Sequence, residues 1–166
     1  MNREDYGSSY QADFLEQYKL YVEMADRISH RRSLANSFFI ASNTLLIGII
    51  TVFKPSGNVH PILLLALGFF GIFLCFVWLV TINSYRQLNS GKFKIIHKME
   101  ESLPFAMYKE EWDRLGSGKD AKKYRQLTRM ERYVPLLFLL PYAIMIAYSL
   151  ATFFRLYSSS PGSIAF

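Results

Sequence analysis

A chain of 166 residues with 19 Lys and Arg against 13 Asp and Glu carries a net charge of +6, yet 51% of it is hydrophobic. Very apolar segments must therefore alternate with very polar ones. The single cysteine, Cys75, excludes an internal disulfide and a cysteine-based zinc site. The basic excess is accounted for by Lys and Arg beside anionic lipid and calls for no nucleic acid.

The opening residues Met1-Asn2-Arg3-Glu4-Asp5 are polar and have no apolar core behind them, unlike a cleavable signal peptide. Residues 1–9, ending in Gly7-Ser8-Ser9, read as a frayed terminus. From Tyr10 to Ile47 there is neither Gly nor Pro, which predicts one long helix. Phe14, Tyr18, Tyr21, Ala25 and Ile28 recur at spacings of 4, 3, 4 and 3, a coiled-coil-like seam in its first half. Residues 10–34 are expected in the cytoplasm and 35–53, which carry no charge, in the membrane. Arg31 and Arg32 fall at headgroup level, where arginine can snorkel to phosphate. The first span contains Asn36, Ser37, Asn43 and Thr44. Asn36 and Asn43 are seven apart, as are Ser37 and Thr44, so each pair shares a helical face. An asparagine facing lipid is costly. This face therefore forms either an interhelical hydrogen-bond seam or the lining of a pore.

Lys54–His60 reads as a tight external turn. Pro61–Asn83 is a charge-free run in which 15 residues are Leu, Ile, Phe or Val. Those side chains favour insertion by about 5–9 kcal/mol, and a helix of that length spans about 34 Å, enough to cross a bilayer core. Apolar positions continue through Ile95, Ile96, Met99 and Leu103 until Pro104. The second helix is therefore expected to run from 61 to 103, with 84–103 cytoplasmic. The short turn forces it antiparallel to the first helix, so that 10–34 and 84–103 form a two-helix stalk.

In the 104–132 segment, Tyr108–Leu115 is expected as a short helix and Gly116–Asp120 as a loop. Its Gly-Lys is no phosphate-binding loop, since Asp113 and Asp120 stand where that pattern needs Gly and Ser or Thr. Thr128 with Glu131 fits a capping box, unless the third helix opens at Val134 with Pro135 in its first turn. Tyr133–Phe154 is the third charge-free run, with a kink expected at Pro141. Residues 155–166 form an external tail.

Five basic residues precede the first span and 12 lie between Ser84 and Arg132, while Lys54 and Arg155 stand alone. The positive-inside rule then places the N-terminus and the 84–132 segment in the cytoplasm and the C-terminus outside. Arg86, Lys92, Arg129 and Arg132 join Arg31 and Arg32 as headgroup-contacting residues. No catalytic set, metal site or cofactor motif emerges. His97 and Glu100 have the i, i+3 spacing of a di-metal carboxylate site, but no second copy accompanies them. No span carries an ionisable Asp, Glu, Lys, Arg or His, which argues against a proton relay or ion-coupled transporter. A non-enzymatic interaction protein is expected, its most economical partner being its own copies.

Tyr18-Lys19-Leu20-Tyr21-Val22-Glu23-Met24-Ala25-Asp26, Arg31-Arg32, Asn36-Ser37-Phe38-Phe39, and Leu103-Pro104 through Glu131-Arg132-Tyr133-Val134-Pro135 resemble the bacterial family of small octameric membrane proteins related to RipA. The similarity runs over about residues 14–140 and brings no catalytic or cofactor-binding residues with it. It implies a homo-octamer in the bacterial inner membrane. The opening helix also resembles membrane effector domains of nucleotide-signalled phage-defence systems, which pair cytoplasmic helices with two spans rather than three. The resulting expectation is an all-α, three-span homo-oligomer acting as a membrane scaffold or assembly platform. A channel lined by the polar face of the first span, serving as a stress or defence effector, is the first alternative. A lipid-binding protein using its basic cytoplasmic loop is the second.

Overall fold

The computed structural model describes residues 6–53, 60–120, 122–124 and 127–158, apart from the side chains of 51–53, Thr128, Arg129, 156 and 157. Most of the expected external turn, most of the C-terminal tail, and the Arg129 side chain lie outside the described residues. Every long element is helical: α1 (Tyr10–Phe53), α2 (Pro61–Glu100), α3 (Met107–Arg114), a 3-10 turn (Gly116–Gly118), α4 (Leu127–Glu131) and α5 (Tyr133–Ser158). Among the described residues there is no strand. Three of these helices contain stretches long and apolar enough to cross a membrane.

Local chemistry explains where the helices begin and end. Pro61 opens α2, the position at which its missing N–H costs nothing. The Nδ1 atom of His60 accepts from the Ile62 amide at 3.3 Å and so caps that end. At the other end α2 stops at Glu100, short of Leu103. Turn hydrogen bonds from Ser102 to Met99 and from Leu103 to Glu100, each 3.0 Å, close the last turn ahead of Pro104. After α3 the chain turns through Gly116 (φ 71°), Ser117 (φ 51°) and Gly118 (φ 69°). The left-handed region favours glycine, and at Ser117 the hydroxyl donates to Asp113 at 3.2 Å. Thr128 lies inside α4 rather than capping α5, which begins at Tyr133 and places Pro135 in its first turn. Pro141 sits within α5, where it has no amide to offer the Leu137 carbonyl.

The chain divides into two compact units. Unit 1 comprises Met1–Leu34 and Ile82–Arg129, and unit 2 comprises Ala35–Thr81 and Met130–Phe166. In unit 1, Tyr18, Ala25 and Ile96 form a buried cluster, with Tyr21, Val22, Phe93, Met99, Leu103 and Tyr108 packed against it. In unit 2 the core is Leu64, Cys75, Tyr142 and Met145, covered by side chains such as Leu46, Ile50, Ile72 and Phe138. Large apolar side chains elsewhere in unit 2, among them Phe73, Phe76, Leu137 and Ile144, are more than half exposed. Hydrocarbon, not water, is the solvent that suits such a surface.

Glycine sets how closely α2 and α5 approach in unit 2. A Cβ at Gly71 would stand 2.2 Å from the buried Tyr142 ring. At Gly68 it would meet the flexible Ile146 side chain at 2.6 Å. Gly71→Ala is expected to destabilise unit 2 by about 1–3 kcal/mol, because a rigid ring must move. Gly68→Ala should cost less, since Ile146 can rotate. Unfolding midpoints in mixed detergent would rank the two, and equal costs would contradict this packing.

Candidate functional site

The polar residues expected on the first span are divided by the fold. Asn43 is fully buried in unit 2. Its Nδ2 donates to the Phe39 carbonyl one turn back at 2.8 Å. Its Oδ1 accepts from the Tyr142 hydroxyl of α5 at 2.9 Å and from the Cys75 thiol of α2 at 3.6 Å. One amide thus joins three helices. Two turns earlier, the Asn36 Oδ1 accepts from the Trp78 indole at 2.9 Å. Trp78 is 1% exposed, stacks on Phe39 with centroids 5.7 Å apart, and tilts against Phe138. A third tie joins the Ser149 hydroxyl of α5 to the Pro61 carbonyl of α2. Ser37 and Thr44, by contrast, are exposed. Their hydroxyls lie on a different side of α1 from the two asparagines, as offsets of about 100° per residue require.

Unit 1 has its own polar junction, at Glu100, a residue read from sequence only as a neighbour of His97. Its side chain is 1% exposed. Oε1 accepts from the Tyr18 hydroxyl of α1 at 3.1 Å and from the Tyr108 amide at 2.8 Å, while Oε2 accepts from the Lys109 amide at 3.0 Å. Those amides belong to the first turn of α3, whose N-cap residue Ala106 has no side chain able to cap. Glu100 therefore caps α3 from eight residues upstream, with an acidic group where the helix dipole favours one. Nothing in local sequence signals this, because it depends on the chain returning past Pro104. His97 packs edge-on against Phe93. Among the described residues no three His, Cys, Asp or Glu side chains gather as a metal site.

The expected seam residues Tyr18, Ala25, Ile28 and Ile96 are buried, and Phe14, Tyr21, Met99 and Leu103 are half-buried. Ile95 is 47% exposed and points elsewhere, one residue being a 100° rotation from Ile96. Of the basic residues assigned to headgroups, Arg31, Arg86 and Arg132 are exposed and Arg32 is half-buried. Lys92 is buried, its ammonium 4.2 Å from the centre of the Tyr21 ring. That placement is a cation–π contact. An open polar groove of about 470 Å³ runs along α2, lined by Asn83, Arg86, Gln87, Ser90, Gly91 and Lys94.

The fold and the neutral ties of unit 2 define an α-helical membrane protein with three candidate spanning helices. Residues 15–151 match the octameric membrane protein family (8xMP), and the chain belongs to that family. The family is named for an assembly of eight chains. No curated protein and no solved structure matches the chain.

Proposed function

We propose that this protein is a non-enzymatic, RipA-like homo-octamer that serves as a scaffold in the bacterial inner membrane. Its N-terminus and the 84–132 segment face the cytoplasm, as the clustering of basic residues supports. In this arrangement 10–34 and 84–103 form the antiparallel stalk. The observation that carries the scaffold reading is the consumption of Asn36 and Asn43 by Trp78, Tyr142 and Cys75 inside a single chain. Polar side chains engaged in this way hold helices together, and the amide oxygens of both asparagines are taken up by other helices of the same chain.

Exposed Ser37 and Thr44 favour a second reading, a channel, in which that face of α1 turns toward the symmetry axis. Reconstitution in liposomes separates the two. The scaffold predicts particles of eight 19.3 kDa chains that pass no small ions above the protein-free leak. Flux that disappears in Ser37→Leu/Thr44→Leu, with the assembly intact, would replace it with the channel. Exposed Arg31, Arg86 and Arg132 support anionic lipid as a companion of the cytoplasmic side in either case.

A further inference from the structure

We propose that the groove along α2 from Asn83 to Lys94 binds the headgroup of an anionic membrane lipid, and that this headgroup carries a second anionic group beyond the phosphate that anchors it. The inference deepens the anionic-lipid companionship proposed above and rests on the cytoplasmic placement of residues 84–132.

The groove lies wholly within unit 1. At about 100° per residue its lining is turned roughly 150° from Lys92, Ile96 and Glu100, the buried positions of α2. It therefore faces away from α1, whose Tyr18 and Tyr21 meet Glu100 and Lys92. Two cations, two amides and a hydroxyl line it, and no carboxylate does. The α2 helix has no Asp or Glu before Glu100, and the oxygens of Glu100 are taken up by Tyr18, Tyr108 and Lys109. Among the described residues neither Arg86 nor Lys94 has an ion-pair partner. Such a lining suits an anion, and the guanidinium fork of Arg86 matches phosphate. Gly91 leaves room for it, since even a Cβ there would meet nothing within 4 Å.

Position selects a lipid as the source of that phosphate. Asn83 closes the charge-free run, so the groove opens where hydrocarbon ends. Exposed Phe76 and Phe69 stand seven and fourteen positions before Asn83, the spacing of one helical face. Apolar and then basic along one face suits an amphiphile. Helical side chains also lean toward the N-terminus of their helix, which for α2 is the bilayer side. Depth then selects the headgroup. At 1.5 Å per residue, Arg86 lies about 4.5 Å past Asn83 and Lys94 about 16 Å. The headgroup layer is about 5–7 Å thick on each side of the bilayer. A phosphodiester in that layer reaches Arg86 and leaves Lys94 unserved, whereas a headgroup extended along the groove by a second phosphate serves both.

The test titrates lipids into the detergent-solubilised full-length chain and reads affinity by native mass spectrometry. One probe is phosphatidylglycerol, with a single phosphate. The other is phosphatidylinositol phosphate, whose second phosphate projects from the headgroup. The projecting lipid is expected to bind about tenfold tighter, the worth of one more charged contact. Arg86→Gln should weaken both lipids, while Lys94→Gln should weaken only the projecting one, to the level of the other. Lys98→Gln removes the same charge from an exposed residue outside the groove and should change neither. Gly91→Met fills the groove without altering charge and should weaken the projecting lipid. Equal losses at Lys94 and Lys98 would mean diffuse charge and overturn the site. Equal affinity for the two lipids overturns the second anionic group, and pyrophosphate binding as tightly as lipid overturns the lipid source. Sidedness is read separately by labelling Ser90→Cys with an impermeant maleimide, the native Cys75 being fully buried. Labelling from the outer face removes the cytoplasmic placement and the site with it. Inner-face labelling without lipid selectivity removes the site alone.

Discussion

Glu100→Ala is expected to destabilise unit 1 by about 3–5 kcal/mol, since it strips the acceptors from three donors at once. The Tyr18 hydroxyl, itself on a residue only 6% exposed, loses its only described partner. The Tyr108 and Lys109 amides lose the group that closes the start of α3. Of these the two amides give the more specific readout, because they should exchange with deuterium far faster while the Tyr10–Leu34 part of α1 stays protected. Glu100→Gln keeps one carbonyl acceptor but turns an amino group toward an amide donor and removes the acidic group from the helix start. It should cost about 1–2 kcal/mol. If alanine at this position behaved like an ordinary surface change, within about 0.5 kcal/mol, the capping role assigned to Glu100 would be wrong.

Asn43→Leu should cost unit 2 about 2–4 kcal/mol, combining a lost interhelical bond with a stranded Tyr142 hydroxyl. The hydroxyl's remaining neighbour is the Asn43 backbone carbonyl at 3.4 Å, a poor substitute for the 2.9 Å bond. Tyr142→Phe alone should cost less, because the Asn43 amide still holds Phe39 and still receives the Cys75 thiol. The informative measurement is the double variant. Removing both partners leaves no hydroxyl to satisfy, so its loss should fall short of the sum by about 1–2 kcal/mol. Strict additivity in mixed-detergent unfolding would show that the two side chains do not depend on each other.

The class of fold was legible because long charge-free runs admit few structures other than membrane-spanning helices. The α1 helix follows from the absence of Gly and Pro over Tyr10–Ile47. The shared face of Asn36 and Asn43 could also be read, since a spacing of seven is a local property of a helix. Their partners could not. Trp78 is 42 positions from Asn36, and Tyr142 is 99 from Asn43. Which pairs meet depends on how each helix is rotated about its axis, and apolar residues on every side of α2 and α5 leave that rotation unmarked. The same gap separates Ile95 from Ile96, two adjacent isoleucines of which only the second is buried. Glu100 was hidden for another reason. Beside His97 and Lys98 it resembles any charged helix face, and its purpose appears only when the chain doubles back to present bare amides.

The ties described within unit 2 are made entirely by uncharged groups: an asparagine amide to a phenol and a thiol, another to an indole, and a serine hydroxyl to a carbonyl. A neutral bond does no work against a transmembrane voltage and is not screened by ionic strength. These ties are therefore deaf to membrane potential and salt, and an electrical or ionic stimulus would act on the charged side chains instead.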